Sequence, residues 1–90
     1  MQLTHQDDVL LLKGDATVAG MTREDYRRLE QACRQPIQAV DLSGIEKADS
    51  TCVAVLVAIK RQVGNQTWQL RSVPAAVTAL LQLYELEWLA

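Results

Sequence analysis

Residues 40–51 read VDLSGIEKADST, and the apolar run CVAVLVAI follows them at residues 52–59. The first part predicts a short strand over residues 37–42 that ends in a polar turn at Ser43 and Gly44. A strand, a polar turn and an apolar segment in this order are typical of an α/β unit. The other elements of the chain are arranged around this unit.

The apolar run is β-branched and unbroken, so its pattern alone fits a buried strand as well as a helix. Its flanks favour a helix, because cap-type side chains precede it, and basic residues and a glycine follow it. A helix with so little polar surface must be buried on most sides, so we expect it to pack against a sheet. The flanking residues are Asp49, Ser50 and Thr51 before the run and Lys60, Arg61, Gly64 and Asn65 after it.

The remaining pattern predicts a mixed β-sheet of about four strands covered by helices, in the order β-β-α-β-α-β-α. We interpret residues 1–90 as one α/β domain. Trp88 is expected to cover the core, in a tail that could be strand-like, with an exposed anchor for a partner as the alternative. The predicted elements are strands at 3–4 and 9–12 joined around Asp7 and Asp8, a helix at 23–34 capped by Thr22 and Asp25, a strand at 67–71, a helix opened by Pro74 with the apolar stripe Val77, Leu80, Leu81 and Tyr84, and the tail at 85–90.

Composition limits the possible functions. The net charge is −2 and the basic residues are scattered, which argues against a nucleic-acid-binding face. The start of the chain does not have the pattern of a signal peptide, and the longest apolar run has eight residues, so we expect a cytoplasmic protein without direct membrane insertion. Cys33 and Cys52 lack metal-ligand spacing and are expected to be small buried hydrophobes.

No catalytic pattern is visible either. The sequence contains no nucleophile–base pair, metal-ligand set or cofactor loop, so we predict neither an enzyme nor a bound metal or cofactor. It also contains no glycine-rich phosphate loop, so the chain is not itself an ATPase.

The polar cluster Asp49-Ser50-Thr51 is the strongest candidate for a functional site. One carboxylate or hydroxyl is enough to cap a helix, so three in succession leave groups free to contact a partner or accept a phosphate. In α/β sheets the site lies beyond the carboxyl ends of the strands, which is where this loop is predicted. On these residues alone the alternative stays open that one of the three caps the helix and the other two are turn residues.

The unit at residues 40–59 resembles the signature of STAS domains, the family of anti-sigma-factor antagonists and sulfate-transporter tails. In that family an apolar strand ends in Asp-Leu-Ser, and Asp-Ser-Ser-Gly-Leu or Asp-Thr-Gly-Gly-Leu opens an apolar helix. This chain has Asp41-Leu42-Ser43 and Asp49-Ser50-Thr51-Cys52-Val53 at these places. Gly14-Asp15 and Val73-Pro74 also fit the family pattern, so the resemblance covers nearly the whole chain.

Within the family, the small size and the late Leu-rich helix look most like the STAS subunit of ABC transporters that move phospholipids between the inner and outer membranes. The resemblance implies that the chain binds the ATPase subunit of such a transporter and lies peripherally on the inner membrane through that complex. It places Ser50 where these subunits have a threonine that contacts the ATPase. The resemblance therefore implies partner contacts at Ser43, Asp49, Ser50, Thr51 and Cys52.

The alternative is an anti-sigma-factor antagonist whose partner is an anti-sigma-factor kinase. The resemblance places Thr51 where these antagonists carry a phosphorylated serine, and Ser50 is a second possible acceptor. The family's Gly-Leu pair is replaced here by Cys52-Val53, which makes the expected contact surface bulkier.

Overall fold

A computed structural model describes residues 1–64 and 67–89. The elements follow the predicted order, with a short 3-10 helix added at the end. They are β1 (Gln2–Gln6), β2 (Val9–Ala16), α1 (Arg23–Ala32), β3 (Ala39–Ala48), α2 (Ser50–Val63), β4 (Gln69–Arg71), α3 (Ala75–Leu83) and the 3-10 helix Glu87–Leu89.

The four strands form one mixed sheet in the order β1-β2-β3-β4. β1 pairs antiparallel with β2, whereas β2, β3 and β4 are parallel neighbours. The crossovers through α1 and α2 both step in the same direction across the sheet, and right-handed crossovers of this kind place their helices on the same face. The predicted fold class is confirmed, and the carboxyl ends of β2 and β3 meet at one edge of the sheet.

The hairpin predicted around Asp7 and Asp8 is present. Both residues have a positive φ, 53° and 62°, as a two-residue hairpin turn of the type I′ class requires. The two strands are longer than the sequence predicts, because β2 continues through Gly14 and Asp15 to pair with the far half of β3. Gly14 has a φ of 87°, which accommodates an irregularity in that pairing.

The turn predicted at Ser43 and Gly44 is wrong. Both residues lie inside β3, which continues to Ala48 alongside β2 with two shifts of register. Gly44 pairs with Lys13, and a Cβ at position 44 would lie 2.7 Å from Lys13 Cγ and 3.3 Å from the Leu12 carbonyl oxygen. Glycine at position 44 therefore permits a close strand approach, which a sequence pattern does not distinguish from a turn.

The ambiguous apolar run is helical, as its flanks predicted. Asp49 is the N-cap residue of α2, and Gly64 ends the helix with a φ of 70°. Asn65, the other part of the predicted stop, lies outside the described residues. The Thr22–Asp25 capping box is present at the start of α1, which ends at Ala32, two residues earlier than predicted.

The core lies between the helices and the face of the sheet that they cover. Its largest side chains are aliphatic, as the composition predicted, and Cys33 and Cys52 are both buried in it. The fully buried side chains that contribute most volume are Leu10, Leu12, Leu29, Val40, Leu42, Val55, Leu56, Ile59, Val77 and Leu81.

The C-terminal end differs from the sequence prediction. The predicted strand-like tail is a 3-10 helix, and its residue Leu89, not Trp88, packs into the core. Leu89 is 5% exposed and Trp88 is 61% exposed, so the prediction of Trp88 as a cover for the core is wrong. Tyr84 lies just beyond α3 and is also exposed, although it was expected in the apolar stripe. Ala90 lies outside the described residues.

Candidate functional site

The carboxylate of Asp49 binds two backbone N–H groups from different parts of the chain. Its Oδ1 accepts a hydrogen bond from the Thr51 N–H at 2.7 Å, and its Oδ2 accepts one from the Val18 N–H at 3.2 Å. These bonds hold the pKa of the carboxyl below its usual value of 3.8. The hydrogen bond from Thr51 has the larger effect on this pKa and the one from Val18 the next largest. Asp49 is therefore ionised at neutral pH and ties the start of α2 to the loop that follows β2.

The residues after Asp49 occupy three different environments. Ser50 is exposed, Thr51 is half-buried, and Cys52 is fully buried. Successive helical residues point about 100° apart, which follows from 3.6 residues per turn, so neighbours in sequence face solvent, boundary and core in succession. Ala54, four residues after Ser50, is exposed on the same face of the helix. The presented surface at the start of α2 therefore consists of one hydroxyl and one small side chain.

The β2–α1 loop, residues 17–22, is held by short-range hydrogen bonds. The Asp15 carboxylate accepts hydrogen bonds from the Thr17 N–H, at 3.0 Å, and from the Thr17 hydroxyl. The Thr17 carbonyl oxygen in turn accepts hydrogen bonds from the N–H groups of Gly20 and Met21. Val18 lies at the tip of this loop with 76% of its surface exposed.

The far end of the same loop is anchored to α1 and to the start of β1. The Met1 amino group donates to the Gly20 carbonyl oxygen at 2.8 Å and lies 3.5 Å from Asp25 Oδ2. Asp25 also accepts a hydrogen bond from the Thr22 N–H, and the Thr22 hydroxyl accepts one from the Asp25 N–H. The loop thus has fixed contacts at both ends and, through Val18, in its middle.

The sequence profile of a family described as "Mlab, STAS domain" matches residues 1–89. The chain belongs to the STAS domain family. STAS domains are generally non-catalytic. Among curated proteins, none matches the chain.

The structure of this STAS domain brings most of the predicted site residues together, but not all. Asp49, Ser50 and Thr51 form one cluster at the start of α2, whereas the Cys52 side chain points into the core. Ser43 is exposed on β3, five residues before the strand ends, and a strand rises by about 3.3 Å per residue. Ser43 therefore lies about 17 Å along the strand from its end at Ala48, which directly precedes the cluster.

The STAS motif Asp41-Leu42-Ser43 has a local structural role in this chain. Asp41 Oδ1 accepts a hydrogen bond from the Ser43 N–H at 2.7 Å. The Ser43 backbone and side chain, and then the nearby Arg71 guanidinium, hold the pKa of Asp41 below its usual range. The motif stabilises β3 where its pairing with β2 shifts register.

Sequence reasoning missed the hydrogen bond between the Val18 N–H and Asp49. The neighbours of Val18 showed no motif, and no pattern links residue 18 to residue 49. The signal that could have found it is topological, because β2 and β3 are parallel neighbours and the loops that follow them leave the same edge of the sheet. Val18 lies on the loop after β2, Ser50 is the first residue of α2 just after β3, and both are exposed.

A metal site is not evident among residues 1–64 and 67–89, where no group of three or more His, Cys, Asp or Glu side chains could hold an ion. In the same part of the chain, no helix has both the length and the apolar character needed to cross a membrane. The arrangement at the start of α2 offers hydrogen-bonding groups and small side chains.

Proposed function

We propose that this chain is the MlaB-like STAS subunit of an ABC transporter that moves phospholipids between the inner and outer membranes and so maintains the lipid asymmetry of the outer membrane. Its partner is the MlaF-like ATPase subunit of that transporter. The chain itself carries out no chemistry; it acts in the cytoplasm and is held peripherally at the inner membrane by the complex.

The observation that carries the proposal is the family match over residues 1–89 together with the exposure of Ser50. The first turn of α2 presents Ser50 and Ala54, and neither side chain is large enough to keep a partner surface away. Asp49 already satisfies the Thr51 N–H, so the helix start is formed before any partner arrives. A preformed surface loses little conformational entropy on binding.

The mechanism is a shift of population in the ATPase subunit. A domain that contacts the assembled ATPase more extensively than the unassembled one stabilises the assembled arrangement by the difference in contact free energy. The start of α2 makes these contacts, and the rest of the domain holds the start of α2 in place.

The test is co-purification of the ATPase subunit with a Ser50→Glu variant. A glutamate in the first turn of a helix interacts favourably with the helix dipole, so the domain keeps its fold. In the docked complex the glutamate side chain has no space, and its carboxylate has no group to pair with. We therefore expect binding of the ATPase subunit to weaken by about a hundredfold, or about 2.7 kcal/mol.

Gln62→Glu is the matched control, because it places the same charge on an exposed position near the other end of α2. The control should retain the ATPase subunit. If Ser50→Glu co-purifies with the ATPase subunit as well as the unaltered chain does, docking at the start of α2 is refuted.

The exposed Ser50 hydroxyl also supports a second candidate, an anti-sigma-factor antagonist that is switched by phosphorylation of Thr51 or Ser50. A phosphate at this helix N-terminus adds a charge of about −1.5 to −2, next to the carboxylate of Asp49. Ser50 is the more accessible acceptor, since Thr51 is half-buried. Intact-mass measurement on protein from its native host tests this candidate, and an unmodified mass under all growth conditions contradicts it.

A further inference from the structure

We infer that the outer edge of β1 pairs antiparallel with β1 of a second copy of this chain, so that two four-stranded sheets join into one sheet of eight strands. β1 is an end strand of the sheet, and β2 pairs with it on one side. The inference goes beyond the proposed function, because it concerns the outer strand of the sheet and not the start of α2.

The register of the hairpin determines which backbone groups of β1 face outward. Gln6 and Val9 flank the two-residue turn and form a hydrogen-bonded pair, as a type I′ hairpin requires. Hydrogen-bonded and non-hydrogen-bonded pairs alternate along an antiparallel ladder, so Thr4 also bonds to β2, whereas Leu3 and His5 do not. The backbone N–H and C=O groups of Leu3 and His5 therefore point away from the sheet.

These outward groups form a pattern that fits another strand. Within residues 1–64 and 67–89, no loop, cap or side chain forms a hydrogen bond with the main chain of Leu3 or His5. Each residue contributes one donor and one acceptor, and the two residues lie symmetrically about Thr4. An extended backbone presents donors and acceptors at the same spacing, so a β-strand is the partner that satisfies all of them.

The sequence of β1 favours its own copy as that strand, because QLTHQ is nearly palindromic. Antiparallel pairing centred on Thr4 places this residue opposite its own copy, and Gln2 opposite Gln6. Leu3 then lies opposite His5, and the two such pairs exchange four N–H···O=C hydrogen bonds. β1 contains no Asp, Glu, Lys or Arg, so no like charges meet, and a Thr–Thr cross-strand pair is favourable.

The two edges of the sheet differ in how well they are protected against such pairing. Short length, charged side chains, proline and bulges are the usual protection of an edge strand. β4 has three residues, one of which is the exposed Arg71. β1 has five residues, contains no proline or charged side chain, and pairs with β2 at every position without a bulge. The edge that accepts a strand is therefore that of β1.

The pairing closes as a dimer, because both copies use the same edge about a twofold axis at Thr4. Five residues from each copy form a contact much smaller than a standard stable interface of about 1,600 Å². We therefore expect a weak dimer, with a dissociation constant on the order of 100 μM. The start of α2 follows β3, two strands away from β1, so it stays accessible in this dimer.

Disulfide trapping of a Thr4→Cys variant, in a chain without an N-terminal tag, tests the register. The central pair is non-hydrogen-bonded, so its Cα atoms lie about 4.5 Å apart, within the range of about 4.4–6.8 Å that a disulfide spans. Thr4 is exposed, whereas Cys33 and Cys52 are buried and do not compete for oxidation. With the chain at about 100 μM and a mild oxidant, we expect a disulfide-linked dimer on a non-reducing gel.

Gln2→Cys and Gln6→Cys are the matched controls, since both positions are exposed on the same face of β1 as Thr4. In the proposed register each lies four residues, or about 13 Å, from its own copy. Each alone should cross-link at least tenfold more slowly than Thr4→Cys, and an equimolar mixture of the two should cross-link rapidly. If Thr4→Cys reacts no faster than the single controls, the pairing is overturned, and docking of the ATPase subunit at α2 is unaffected.

Discussion

At the residue scale, the site depends on how a helix start distributes adjacent side chains. Ser50, Thr51 and Cys52 are neighbours in sequence, yet they are exposed, half-buried and fully buried in that order. Cys52 occupies the position where the family places glycine, but its side chain points into the core and adds no bulk to the presented surface. The bulkier surface that the sequence suggested is therefore not what the structure shows.

Cys52 should consequently be chemically inert in the folded protein. Burial is the main reason that the pKa of its thiol rises to about 11, with a smaller contribution from the nearby Asp49 carboxylate. The thiolate is the reactive form, so at pH 8 only about one molecule in a thousand carries it. We expect alkylation of Cys52 by iodoacetamide to be very slow in the native state and fast in guanidinium chloride.

The Cys33→Ser variant removes the other cysteine, so that alkylation reports on Cys52. Cys33 is also buried, and burial raises the pKa of its thiol as well. Peptide mapping after alkylation identifies the modified residue. Rapid native alkylation of Cys52 at pH 8 would show that its side chain faces solvent, and would restore the idea that this position touches a partner directly.

At the scale of elements, the sequence predicted which segments are helices and strands better than it predicted where they end. The flanking caps identified α2 correctly because capping chemistry is local, and Asp49 does bind the Thr51 N–H. The extent of β3 depends on pairing with β2, which lies about 30 residues earlier, so Ser43 and Gly44 read as a turn when considered alone.

The candidate site shows the same division. Its helical half could be predicted from Asp49 and Ser50, because the polar cluster and the following apolar run are contiguous in sequence. The hydrogen bond from the Val18 N–H to Asp49 could not be predicted, because it joins segments that meet only in the folded sheet. Contacts between sequence neighbours, such as a helix cap, can be predicted from one sequence. Contacts between distant segments can be predicted only once the topology of the sheet is known.

The β2–α1 loop gives a prediction at this scale. A Cβ at Gly20 would collide with the side chain and the carbonyl oxygen of Asp15, so Gly20→Ala must push the two ends of the loop apart. We expect the free energy of unfolding to fall by about 1–3 kcal/mol, the usual cost of forcing atoms into a packed position. Urea denaturation measures this change.

Ala19→Ser is the control for the loop, because Ala19 is exposed and adjacent, and its substitution should change stability by less than about 0.5 kcal/mol. An unchanged unfolding midpoint for Gly20→Ala would mean that the loop is free to move away from Asp15. Such mobility would also mean that hydrogen bonds do not hold Val18 in one place.

At the scale of the whole molecule, a 90-residue chain has a narrow margin of stability, roughly 5–10 kcal/mol for a domain of this size. The three helices cover one face of the sheet, and the C-terminal 3-10 helix closes that core through Leu89. The neighbouring aromatic residues Tyr84 and Trp88 are 48% and 61% exposed, so only part of their apolar area is removed from water by folding.

This arrangement predicts opposite outcomes for two adjacent residues of the tail. Trp88→Ala removes the larger side chain but should change the free energy of unfolding by less than about 0.5 kcal/mol, because that side chain is exposed. Leu89→Ala leaves a cavity at the core and should cost about 2–3 kcal/mol. Urea denaturation followed by circular dichroism compares the two without relying on tryptophan fluorescence. If Trp88→Ala is the more destabilising change, the tail packs through its indole, and the core is closed by a different residue from the one described above.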